Sequence, residues 1–140
     1  MTQDIDYGMV RVYPVSYEEA LPKVKDALKE EGFGVLTEID VKKTLKEKID
    51  VDFRPYIILG ACNPRLAHRA LSAEGDLGLM LPCNVVVAEE RPGSARVSAV
   101  SPKSMLDVVK GNEELAKVGD EAQAAFERML AKLDKTLGGK

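Results

Sequence analysis

The chain has 140 residues, 45% of them hydrophobic and 31% charged, with a formal net charge of -3. That length suits a single domain, which at this size buries roughly two-thirds of its unfolded surface, and the composition is neither disordered nor low in complexity. The acidic balance supplies no broad cationic surface for a nucleic-acid backbone, and no apolar run approaches the roughly 20 residues that cross a bilayer.

Residues 7–13 read as a strand, because Val10 and Val12 fall on one face and Arg11 and Tyr13 on the other. Pro14 ends it. Ser16 then opens a capping box with Glu19, and Ala20, Leu21, Val24, Ala27 and Leu28 form the apolar stripe of a helix stopped by Gly32. Pro22 lies inside that helix and should bend it. Phe33, Val35, Thr37 and Ile39 alternate as a second strand over 33–39, and Asp40 caps a short helix with Val41, Leu45 and Ile49 turned inward.

The third strand, 55–61, holds the run Tyr56-Ile57-Ile58-Leu59, apolar at every position as in a strand at the centre of a sheet. Asn63 and Pro64 are an N-cap and a first helical residue, followed by Leu66, Ala67, Ala70 and Leu71 on one face, with Gly75 closing the helix. Residues 77–81 and 83–88 read as one broken strand or two short ones, placed in the sheet near 78–88, because Pro82 cannot donate a ladder bond and favours an edge or bulge. Pro92-Gly93 suits the centre of a type II turn into a partner strand over 95–100. Ser101-Pro102 opens a short helix through Val109 stopped by Gly111, and Asn112 caps a last helix whose stripe includes Leu115, Val118, Ala122, Phe126, Met129 and Leu133. The tail Leu137-Gly138-Gly139-Lys140 should fray.

Strands paired as a hairpin near the carboxyl half, with helices elsewhere, give one α+β domain over 1–140, ordered from about residue 5 to 135. Its sheet is mainly antiparallel with the helices on one face. Such a sheet leaves its other face to water, a ligand or a second copy, and a homodimer is expected. The start Met1-Thr2-Gln3-Asp4 is acidic where a signal peptide is basic. A cytoplasmic protein with neither membrane nor nucleic acid as partner is therefore expected.

Only two cysteines occur, in matching contexts: Ala61-Cys62-Asn63-Pro64 and Pro82-Cys83-Asn84-Val85. Two are too few for a disulfide scaffold, and their placement at strand ends predicts that the two thiols converge. Cys62 precedes a helix amino terminus, which stabilises a thiolate. Thiolates and imidazole also suit zinc, so Cys62, Cys83 and His68 are one alternative set. Against a metal stands the lack of paired cysteines two to four residues apart, and the expected metal and cofactor content is none. His68 points roughly 130° from the apolar centre of its helix, at about 100° per residue, and faces solvent, a partner or a cleft beside Arg65 and Arg69.

Lys42, Lys43 and Lys46 share one helical sector that Asp40, Glu47 and Asp50 can neutralise, and Glu38, Asp40, Asp50 and Asp52 show no pairing of the kind acid/base work requires. There is no nucleophile elbow, phosphate loop, dinucleotide fingerprint or zinc-binding helix motif.

Val35-Leu36-Thr37-Glu38-Ile39-Asp40, then Tyr56 to Pro64, then Leu79 to Val87 with its Leu-Pro-Cys-Asn-Val centre, resemble the "domain of unknown function 302" family, over a span from about Tyr7 to Leu133. The resemblance implies a two-layer α+β sandwich similar in topology to the TATA-binding-protein fold, without any implication of DNA binding, and it implies no activity. It draws attention to Glu38, Asp40, Cys62, Asn63, Pro64, Pro82, Cys83 and Asn84; Pro22 departs from an easy helix. The leading expectation is a noncatalytic module that binds a small ligand or partner, or regulates, at Cys62, Asn63, His68, Cys83 and Asn84. The alternative is a thiol- or metal-dependent activity at the two Cys-Asn segments.

Overall fold

Five strands, β1 (Gly8–Tyr13), β2 (Gly34–Asp40), β3 (Tyr56–Cys62), β4 (Cys83–Arg91) and β5 (Ser94–Val100), form one sheet in the order β1-β5-β4-β3-β2 in the computed structural model, which describes residues 2–138. Every ladder is antiparallel. The alternation makes the two edge strands, β1 and β2, point the same way, so the chain must recross the sheet between them. Helix α1 (Tyr17–Glu30) performs that crossing, and α5 (Glu113–Leu137) packs beside it. The result is the expected α+β, two-layer arrangement, with a mainly antiparallel sheet under helices.

Capping chemistry sets the boundaries of α1. The Ser16 hydroxyl accepts from the Glu19 N–H at 3.0 Å. At the other end Gly32 takes φ +83°, while the N–H groups of Gly32 and Phe33 donate to the carbonyls of Lys29 and Leu28. That double bond pattern closes a helix on a left-handed glycine, and it drops the Phe33 ring onto the core. The helix runs through Pro22 in its second turn, where the missing donor leaves only the carbonyl of exposed Glu18 without its helical partner.

The main core fills the space between the sheet and α1 and α5. Ile57, Leu59, Val85, Val87, Val97 and Ala99 project from the strands toward Val24, Leu28, Phe126, Met129 and Leu130. Phe33 and Phe126 meet at its centre with ring centroids 4.8 Å apart. A smaller cluster of Ala70, Leu77, Leu106, Leu115 and Val118 lies among the remaining helices. Tyr13 donates to Asp134 at 2.8 Å, linking β1 to α5.

Several elements depart from the sequence reading. Residues 77–81 are no strand: Gly75–Met80 is a 3₁₀ turn capped by the Glu74 side chain. Only Leu77 of its apolar residues is buried, whereas Leu79 is 87% exposed, so the apolar run there does not mark a strand. Strand β4 instead starts at Cys83 and continues to Arg91, beyond the expected end at Ala88. Helix α2 (Val41–Ile49) buries none of its residues, and Ile49 is exposed, because this short helix packs mainly against the edge pair β2 and β3. Helix α4 stops at Leu106, short of Val109, and passes into turns before Gly111 at φ +73°. Leu137 does not fray but is buried as the last residue of α5; Gly139 and Lys140 lie outside the described residues.

Candidate functional site

The site grows from the ends of two adjacent inner strands, β3 and β4. Ala61 of β3 stands opposite Cys83 of β4, and Gly60 opposite Asn84. Gly60 has a steric reason to be glycine: an added Cβ would collide with Thr37 Oγ1 and lie 2.8 Å from Pro82 Cγ. Without a side chain there, the ring of Pro82 can lie directly on β3. At Cys62 the strand ends, and Asn63 begins α3 (Pro64–Ala73) by accepting from the N–H groups of Arg65 and Leu66 at 3.1 and 3.2 Å. Helix α3 is held to α5 by Arg69, which bonds Glu114 at 2.8 Å and Glu121 at 3.0 Å.

Between these strand ends, α3, the 3₁₀ turn and the pair α4 (Pro102–Leu106) and α5 lies a cavity of about 280 Å³. Leu66 and Ala70 of α3, Leu77, Met105 of α4, and Val118 and Ala122 of α5 supply much of its wall. Cys62, Asn63 and Cys83 complete it. No Asp, Glu, Lys, Arg or His contributes to the lining.

Three of the five residues singled out in the sequence therefore share one cavity, and two do not. Asn84 neighbours Cys83 in a strand, so the two side chains leave opposite faces, and Asn84 is exposed outside the cavity. His68 is exposed on α3, away from buried Ala70. Both cysteines are free thiols. Cys83 is buried, and burial, with a smaller contribution from neighbouring Cys62, pushes its pKa from 9.0 up to about 11. That shift favours the protonated, weakly polar thiol at neutral pH.

Several members of the other constellations have local partners. Lys42 donates to the Phe53 carbonyl, Lys46 pairs with Asp50 and Asp52, Glu38 pairs with Lys25, and Asp40 caps α2. Among the described residues no three His, Cys, Asp or Glu side chains form a group that could hold a metal ion, so Cys62, His68 and Cys83 do not assemble one. Also among the described residues, no helix is long and apolar enough to cross a membrane.

A family model described as "Domain of unknown function DUF302" matches residues 9–133. The chain belongs to this family. The crystal structure of an uncharacterized conserved DUF302 protein from Bacillus stearothermophilus is similar over 93% of this chain and 98% of that one, with 29% identity and a TM-score of 0.79. A comparison with curated proteins finds no match. In this DUF302 chain the residues missed by sequence reasoning are the apolar ones that close the cavity, such as Leu77, Met105 and Val118. Their helical spacing is that of any buried stripe, and nothing local distinguishes lining a cavity from filling a core.

Proposed function

We propose that the protein is a noncatalytic small-ligand-binding module, and that the cavity at the ends of β3 and β4 is its site. The observation that carries this reading is a space of about 280 Å³ walled by seven separate elements at the two Cys-Asn segments. Ligand sites are usually concave, mostly apolar and supplied with a few polar groups, here the Asn63 amide and two thiols. The raised pKa of Cys83 speaks against that thiol as the nucleophile of a thiol-dependent activity, since burial keeps it protonated at neutral pH.

The test is a fluorescence titration with 1-naphthylamine, a neutral dye that brightens in apolar surroundings. A single saturable site is expected. Emission that climbs in proportion to dye without saturating would remove the reading.

A second copy of the chain covers the face of the sheet turned away from α1 and α5. Ser98, Val86, Ile58 and Ile39 are successive cross-strand partners there, giving an uncharged, partly exposed row across β5, β4, β3 and β2, while Val10 at the β1 end is already buried. Light scattering at micromolar concentration should return a dimer, and Val86→Lys a monomer, because a lysine in that row would be buried without a partner. A monomeric parent protein would discard the pairing.

A further inference from the structure

The chemical class of the ligand follows from the walls of the same cavity, an inference that rests on the ligand-binding reading above. We infer that it takes an uncharged, largely apolar molecule and excludes carboxylates and ammonium ions. An apolar cavity of about 150 Å³ stays dry and accepts benzene. A space of about 280 Å³ is nearly twice that, which corresponds to roughly ten to twelve non-hydrogen atoms, a fused bicyclic ring or a chain of eight to ten carbons.

Three observations agree on neutrality. The lining carries no charged side chain, so an ion moved inside would lose its water and gain no partner. The polar atom best placed to orient a ligand, Asn63 Oδ1, is already engaged by the amides of Arg65 and Leu66. Two of the three nearby guanidinium groups are also committed: Arg69 to Glu114 and Glu121, and Arg128 to Glu31 at 2.8 Å.

The rim offers the complementary signal. Leu36 and Leu71 both line the cavity, yet remain 67% and 41% exposed. Large apolar side chains held in water at the mouth of an apolar space give an entering hydrocarbon surface to cover before it is fully enclosed. Arg65, exposed at the start of α3, flanks a separate polar groove that shares Asn63 and Leu66 with the cavity. It is where the head of an amphipathic anion would have to rest.

Displacement of bound 1-naphthylamine by 1-octanol and by octanoate at pH 8 separates these cases. Octanol should displace the dye at a concentration lower by at least about ten-fold, and Arg65→Ala should leave its midpoint unchanged. Ala67→Phe, which places a ring in the cavity from the half-exposed side of α3, should abolish binding of both dye and octanol. Ala122→Leu fills the same space from α5 and serves if the first variant does not fold.

Octanoate displacing as well as octanol, with that ability lost in Arg65→Ala, would overturn the neutral class while leaving a ligand site in place. No saturable dye binding at all would instead remove the ligand reading itself. Binding that persists in a folded Ala67→Phe protein would show that the molecule sits elsewhere, and would sink the inference.

Discussion

Replacing Phe126 by alanine should lower the unfolding free energy by about 3–5 kcal/mol, the cost of removing a fully buried aromatic ring and leaving a void. Phe126 is wholly buried on α5 and its ring lies 4.8 Å from that of Phe33, so the loss includes both burial and a ring-ring contact. Domains of this kind carry about 5–15 kcal/mol in total, which makes the change a large fraction of the whole. Urea unfolding should show a lower midpoint with an unchanged slope. Phe53→Ala is the control: that ring also meets an aromatic partner, Tyr56, but is 39% exposed, and its loss should cost no more than about 1 kcal/mol. Equal effects at the two positions would mean that the core is not centred on the Phe33–Phe126 contact.

The second expectation concerns pH. Burial raises the pKa of Cys83 from 9.0 to about 11, so the folded state favours the protonated thiol more strongly than the unfolded chain does. The stability this contributes is complete below pH 9 and is lost as pH rises toward 11. Raising the pH from 8 to 10 should therefore remove about 1 kcal/mol through this group. Tyr13, raised chiefly by burial and then by its bond to Asp134, and Tyr17, raised chiefly by burial, act in the same direction at higher pH.

The comparison is thus between urea midpoints of the parent and Cys83→Ala, measured at both pH values, with the alanine variant losing less. Identical losses would show that Cys83 ionises as freely in the folded protein as in the unfolded one. In a Cys62→Ala background at pH 8, iodoacetamide should label Cys83 about 100-fold more slowly in the folded than in the unfolded protein, following the thiolate fractions. Rapid labelling of folded protein would instead return Cys83 to the list of reactive thiols.

Much of the architecture was legible because its determinants are local. Ser16, Asp40, Asn63, Ser101 and Asn112 each cap the helix they were expected to start. Gly93 adopts φ +79° in the turn between β4 and β5, as its place after Pro92 required. The stretch 77–81 misled because a short apolar run before Pro82 is a strand only when it has a sheet to join. Here Leu77 enters the smaller core and Leu79 enters water.

The chain alone thus determined its capped helices, its turns, and the strands whose side chains alternate between core and solvent, since those depend on neighbours a few positions away. It also located two thiols at strand ends. Only the tertiary structure decided that Cys62, Asn63 and Cys83 share a cavity with Leu77, Met105 and Val118 while Asn84 and His68 stand outside it. That choice depends on the pleat of β4, the rotation of α3 and the distance at which α5 packs. These are set by long-range packing, on which the spacing of apolar residues along one helix is silent.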